Sequence, residues 1–485
     1  MGQEVKELKV GHGPALELRV LNDPGHVSIR KILGPGLILS ALGVGMGETF
    51  MWPRLVIVFG PEVRWLATVG LIIQIFVTME IARWTYYTGE SIFTAGKRIH
   101  PAIMWYFYIV AILVYIWPGH VVTGSGALGM LLGVDWVQIA VISLIAIAAV
   151  LILSPYQVYK TVKTLLLIAI SIMIGVSFVV AVLVGRPEHW GGALWGTVSF
   201  GFWTDQMSTK TWLPIIVGGL AFIGPSGMQQ MWYTLWAREE NAGMSAYMPK
   251  ITGLIFGKEE AWREGGFYFD TNSDEEIGKW KRWRRLNMYD ALISFGLITY
   301  LTTLFFTVLS MRAAELNPAA LAAIKAGNTL KAVQAIASAF TFISPVLYPL
   351  WFIVMFLVGW KMSFGVFDAF ARGQADMTFN LFKGAQKLGM RKWYYIWVAV
   401  VTIVGIITTV AGSAKGPAFM LDLLAFLSPL IMGSYCLLIL YVNNKMVPKR
   451  IRMSWVSTIV LAGGAAFYLV SLFYCTFVVG AIPSG

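Results

Sequence analysis

The sequence predicts an all-α membrane protein of eleven transmembrane helices, the first and sixth of them discontinuous. Three observations carry this reading. The 485 residues are 57% hydrophobic and only 13% charged, with a mean hydropathy of +0.69, whereas soluble domains average roughly a quarter charged residues. Apolar runs of about 20 residues recur along the chain, each long enough to cross ~30 Å of hydrocarbon. Two of these runs are interrupted by glycine and proline, and the interruptions lie five spans apart.

Residues 1–31 are polar and of mixed charge and lack the short apolar core and cleavage site of a signal peptide. They read as a cytoplasmic N-terminal segment, with the first span acting as the insertion signal. The rest, 32–485, reads as a single transmembrane domain. A first repeat, about 32–185, holds spans at roughly 32–59, 63–86, 102–131, 135–154 and 161–185. A second, about 212–442, holds spans at roughly 212–237, 288–311, 344–371, 394–412 and 418–442, and an extra span follows at about 453–480. With the N-terminus inside, Lys and Arg concentrate in the cytoplasmic segments, as the positive-inside rule requires, and the C-terminus falls outside. The plasma or inner membrane is the expected location. The basic run Lys279-Trp280-Lys281-Arg282-Trp283-Arg284-Arg285 is read as a topology determinant, with anionic-lipid binding as the alternative.

The longest inside segment is the loop at about 238–287. Asp270, Asn272 and Asp274 fall at the first three ligand spacings of an EF-hand. Glu275, however, stands where that loop needs glycine, and Lys281 where it needs a bidentate Glu. The stretch reads as a solvated acidic patch. The outer segment 312–343 is Ala-rich and reads as a surface helix. Tryptophans near span ends fit aromatic belts. Only Cys436 and Cys475 occur, both in apolar runs, so no disulfide framework, Cys-based metal site or cofactor is expected. The distribution of the +12 net charge argues against nucleic acid. The bilayer and a small ion or small-molecule substrate are the expected partners.

Span 1 breaks at Gly43–Glu48 and span 6 at Gly224-Pro225-Ser226-Gly227. Unwound backbone exposes N–H and C=O groups that lipid cannot satisfy, so such breaks persist where they line a site. Paired breaks in corresponding helices point to inverted repeats with a binding site between them. Glu48 puts a carboxylate at the first break, and Gln229 and Gln230 lie one turn past the second. Lys361 lies inside span 8, where an ammonium costs on the order of 2.5–3.5 kcal/mol and calls for a partner. Two partners are open to it: Glu48, or a structural pair such as Asp368 two turns on. Glu80, near the inner end of span 2, reads as one half of a structural pair. No paired-His or Cys ligation pattern marks a membrane redox enzyme. No strand–helix unit surrounds Gly43-Val44-Gly45-Met46-Gly47, so it is not a nucleotide loop. No enzymatic activity is expected.

Over about residues 33–480 the chain resembles the Nramp-type transporters, whose fold is the LeuT-like five-plus-five inverted repeat. The resemblance is carried by Gly34-Pro35-Gly36, Ala82-Arg83 with Thr88-Gly89, Gly124-Ser125-Gly126-Ala127-Leu128-Gly129, Leu286-Asn287-Met288-Tyr289-Asp290 and Asn443-Asn444-Lys445. That family binds transition metals through Asp-Pro-Gly-Asn in helix 1 and Met-Pro-His in helix 6. The matching positions here are Gly45-Met46-Gly47-Glu48 and Gly224-Pro225-Ser226. The metal-binding Asp is Gly45, the Asn is Glu48, the Met is Gly224 and the His is Ser226. What remains is an oxygen set, Glu48, Ser226 and backbone carbonyls, suited to a hard ion such as Mg²⁺. Where the family carries proton-moving acids in helix 3, this chain has Trp117 and His120. A histidine relays protons near neutral pH, although a lone one is most often structural.

The resemblance places Lys361 on helix 8 beside helix 1, where an ammonium can replace a bound cation. It implies a secondary transporter moving a cation by alternating access with proton coupling through Glu48 and His120. A second resemblance competes. Val44-Gly45-Met46-Gly47-Glu48 followed by Trp52-Pro53 is also similar to helix 1 of amino-acid carriers of the same fold, which offer unwound N–H groups to a substrate carboxylate. On that reading the substrate is a small organic solute or anion, and Gln229 and Gln230 hydrogen-bond it. A non-transporting sensor or scaffold of the same fold is the third reading.

Overall fold

The computed structural model describes residues 7–25, 39, 42–154, 158–254 and 260–483. Among these, nine helices are long and apolar enough to cross a membrane, and they belong to spans 2 to 5 and 7 to 11. The chain is thus an integral, multi-pass membrane protein. The two spans outside this set are the first and the sixth, the two predicted to be broken. Span 1 offers a π-helical turn, Gly47–Met51, and the helix Trp52–Phe59. Its beginning, with the Gly34-Pro35-Gly36 stretch, lies outside the described residues. Span 6 is the helices Leu213–Ala221 and Gln229–Glu239 with non-helical chain between them. At ~1.5 Å per residue none of these pieces crosses a bilayer alone.

Several elements differ from the sequence-based expectation. Span 3 is also interrupted, into Pro101–Tyr115 and Gly119–Leu132, because Pro118 has no N–H to continue the helix. Span 7 starts well before 288: the helix Asp274–Tyr289 runs through a π-helical stretch into Ile298–Leu316. Ser273 caps it and three acids fill its first turn, matching the positive end of the helix. The loop therefore ends near residue 273. Asp270, Asn272 and Asp274 are exposed, as expected of a solvated patch, with Asp270 accepting the Asn272 N–H at 2.8 Å and Arg450 donating to Asp274 at 2.6 Å. The basic run is largely paired, Lys279 with Glu276, Arg282 with Asp23 and Arg284 with Glu80. The Ala-rich outer segment is two helices, Pro318–Lys325 and Lys331–Thr341, the second mostly buried rather than lying on the surface. Trp52, Trp84, Trp212, Trp232, Trp236 and Trp351 are fully buried and fill the interior instead of a belt.

Exposed Ile142, Ile168, Ile172, Ile403, Ile407 and Val470 place spans 4, 5, 9 and 11 toward lipid. Spans 1, 6, 8 and 10 contribute Met46, Phe50, Phe222, Met362 and Leu421 to the core. Spans 3 and 8 cross at Gly124 and Gly359, where a Cβ on Gly359 would lie 3.1 Å from the Gly124 Cα. Small residues permit such backbone approach in membranes, and this crossing presses the middle of span 8, which bears Lys361, onto span 1. Residues 7–25 fold onto one end of the bundle. There β1 (Glu7–Leu8) pairs antiparallel with β2 (Leu16–Leu18), and β2 pairs parallel with β3 (Phe267–Tyr268).

Candidate functional site

The two breaks meet inside the bundle. Glu48 lies in the π-helical turn of span 1 and is fully buried. Its oxygens reach in opposite directions: Oε2 accepts the Gly45 N–H at 2.8 Å, and Oε1 accepts the Gly224 N–H at 2.7 Å. One side chain joins both breaks. Gly224 has φ +79°, a left-handed conformation that aims its N–H at Glu48, and a Cβ there would also crowd Phe295.

Lys361, buried on span 8, donates to the Val44 carbonyl at 2.6 Å. The Val44 C=O and the Gly45 N–H are the two ends of one peptide group. That peptide is bracketed by an ammonium on its oxygen and a carboxylate on its hydrogen. Thr49 Oγ1 donates to the next carbonyl, that of Gly45, at 2.7 Å. Burying each charge costs several kcal/mol. Charge-assisted hydrogen bonds worth ~1.5–3 kcal/mol each offset part of that cost, and the polarised peptide couples the two ions without direct contact. Asp368 is not the partner of Lys361, being held by Arg372 and Tyr394 at 2.8 Å each.

The other predicted residues divide into four groups. Gly45 is where a resembling metal carrier has its Asp, and the space is filled: a Cβ on Gly45 would overlap the Met362 sulfur. His120 opens the second half of span 3, its ring 5.7 Å from that of Phe222, buried and with both nitrogens unpartnered among the described residues. Ser226 and Gln229 belong to the far side of the second break. The Gln229 amide is 3.4 Å from Ser226 Oγ, and Gln229 Oε1 is unpartnered among the described residues. Gln230 turns away to span 2, accepting from Thr78 at 2.9 Å, with its amide 3.4 Å from Gln74 Oε1. Among the described residues no group of three His, Cys, Asp or Glu side chains can hold a metal ion.

Sequence reasoning missed three participants. Met362 reads as core in an apolar run. Tyr115 closes the second break, its hydroxyl donating to the Ser226 carbonyl at 3.2 Å and accepting the Met228 N–H at 2.8 Å. Arg54 of span 1 pairs with Asp422 of span 10, an ion pair across 368 residues of sequence. Asp422 lines a pocket of about 300 Å³ together with Lys210, Asn328, Thr329, Lys415 and Phe419, at the end of the bundle opposite β1–β3. The strand-bearing end carries buried ion pairs instead: Arg238 with Asp376, Arg372 with Asp368 and Glu239, and Arg98 with Glu90. Glu80 is paired with Arg83 and Arg284, the structural role expected of it.

No family model and no curated protein matches the chain. Solved structures do match. A mutant of the manganese transporter of Eremococcus coleocola shares 14% identity, covers 96% of this chain and 92% of its own, and superposes with a TM-score of 0.64. MhsT in complex with L-phenylalanine shares 12% identity, with coverage of 92% and 98% and a TM-score of 0.55. The nucleobase-cation-symport-1 family transporter MHP1 shares 13%, with coverage of 92% and 90% and a TM-score of 0.50. The fold is therefore the LeuT-like one that the resemblance implied.

Proposed function

We propose that the chain is a secondary active transporter, a divergent relative of the Nramp type, that moves a cation by alternating access with Glu48 as its central group. The observation that carries this reading is the bracketed peptide: one buried carboxylate holds the two breaks together, and its counter-charge sits one peptide away. Neutralising that carboxylate, by a cation or by a proton, weakens the bond to the Gly224 N–H that joins span 6 to span 1. An incoming cation meets an anionic oxygen pair and displaces the Lys361 ammonium from the Val44 carbonyl. The donors are oxygens, which favours a hard ion such as Mg²⁺. The pocket above Arg54 and Asp422 is the approach from one side, and His120, buried beside Phe222, is the candidate proton acceptor.

One observation favours a second reading. The N–H groups of Gly45 and Gly224 converge on a single carboxylate, so an organic solute bearing a carboxylate can take the place of Glu48, with Gln229 Oε1 as a further acceptor for it.

Uptake of Mg²⁺, Mn²⁺ and Ca²⁺ into proteoliposomes, with internal pH recorded, tests the proposal. Saturable divalent uptake that disappears in Glu48→Gln is the expected result, and accompanying acidification adds proton coupling. Folded protein with no divalent flux would overturn the cation reading and turn the search to carboxylate-bearing solutes.

A further inference from the structure

Residues 7–25 make a set of contacts that no transport step described above uses. The loop between β1 and β2 lies against the helix Ile92–Ile99, which links spans 2 and 3. The His12 N–H donates to the Arg98 carbonyl at 2.8 Å, and Arg98 Nη1 donates to the Val10 carbonyl at 2.9 Å. Arg98 is fully buried there and also holds Glu90. Further along, the Arg19 N–H donates to the Tyr268 carbonyl at 2.9 Å, extending the parallel pairing of β2 with β3. The Leu21 N–H donates to Glu276 at 2.5 Å, and Asn22 Nδ2 donates to the Asn241 carbonyl at 3.1 Å, just past the end of span 6. Trp283 Nε1 donates to the Asn22 carbonyl at 2.6 Å, and Arg282 holds Asp23 through two bonds.

This short segment therefore grips both repeats at once, the first through Arg98 and the second through Asn241, β3 and the lengthened start of span 7. It does so at the end that carries these buried ion pairs, opposite the pocket that Asp422 lines. We infer that residues 7–25 are a clasp that holds this end shut, and that the path from the breaks to this side opens only when the clasp lets go of one repeat. The inference rests on the alternating-access reading. Its core is backbone pairing and buried Leu16 and Leu21. Its edges are the half-exposed ion pairs Arg263–Glu17 and Arg282–Asp23, which salt screens. It is an element the cell can loosen without touching the membrane-embedded site.

The test uses a thiol probe away from the clasp. Cys436 and Cys475 are buried, so a membrane-impermeant maleimide applied to the clasp-bearing face reports on Ser226→Cys at the second break. In the full chain the introduced thiol is expected to be protected. Deleting residues 1–25 is expected to speed its modification at least fivefold, and Glu17→Arg with Asp23→Arg to speed it by a smaller factor. The double substitution also serves where the deletion fails to fold. Protection unchanged in a folded variant of either kind would overturn the clasp. The readout needs no known solute: faster labelling in a chain that carries no ion leaves the clasp standing and the cation reading fallen.

Discussion

The two breaks solve the same backbone problem with different chemistry. In span 1 the free peptide group between Val44 and Gly45 is met by two ions, Lys361 on its oxygen and Glu48 on its hydrogen. In span 6 the break is neutral: Gly224 offers an N–H, and the Tyr115 hydroxyl closes the chain at Ser226 and Met228. The charge resides on one side and the other supplies a donor that depends on it. Span 1 is the side that responds to a charged ligand, and span 6 is the side that follows.

The largest way to break this asymmetry is Glu48→Gln. An amide keeps the shape but removes the charge that both N–H groups and Lys361 answer to. Of the two charge-assisted bonds, worth ~1.5–3 kcal/mol each, one is weakened and the other lost, because an amide nitrogen cannot accept an N–H, so uptake is expected to fall on the order of a hundredfold or more, with the protein still eluting as a folded species. Lys361→Met is expected to cost about tenfold in uptake, because the carboxylate then lacks its counter-charge but keeps its two N–H donors.

Two glycine substitutions sharpen the comparison through stability. Gly224→Ala forces a Cβ into a left-handed backbone and is expected to destabilise by ~1–2 kcal/mol, read as a lower thermal midpoint that trimming Phe295 does not restore. The atoms nearest a Cβ on Gly45 all belong to the Met362 side chain, so Met362→Ala is expected to restore most of the midpoint that Gly45→Ala loses.

The smallest expected effect lies at the clasp. Arg263 beside Glu17, and Arg282 beside Asp23, hold these carboxyls below their ordinary range. A lowered carboxyl contributes stability above its unfolded value, and that contribution is lost as pH falls through the lowered one. The clasp is expected to stay closed across neutral pH and to loosen only below about pH 4, as followed by hydrogen exchange of the backbone N–H groups of Glu17, Arg19 and Leu21, corrected for the intrinsic rate at each pH.

Much of the architecture was legible in the sequence because its signals are local: apolar length for the spans, and Gly-Pro clusters for the two breaks. Glu48 and Lys361 were legible as charges in the wrong solvent. What stayed hidden was the geometry between distant segments. Nothing in the run around Met362 distinguishes a thioether that fills an empty side-chain site from ordinary core. Strands of two or three residues, as in β1–β3, have no periodicity to read, so the N-terminal segment appeared merely polar. The start of span 7 was obscured because its first turns are rich in charge, with Glu276 and Lys279 buried beside Ile277 and Trp280. The Gln pair looked equivalent, yet Gln230 is committed to span 2, whereas Gln229 Oε1 has no partner among the described residues.

The central claim is that two buried ions act through one peptide group, and a double-mutant cycle on the uptake rate tests it most directly. Glu48→Gln, Lys361→Met and the pair are compared with the parent protein in proteoliposomes. Contacting groups couple, and independent ones add. The account predicts that the double variant is no slower than Glu48→Gln alone, because the ammonium has nothing left to answer. Losses that multiply, tenfold on top of a hundredfold, would show that Lys361 and Glu48 act separately and would contradict it.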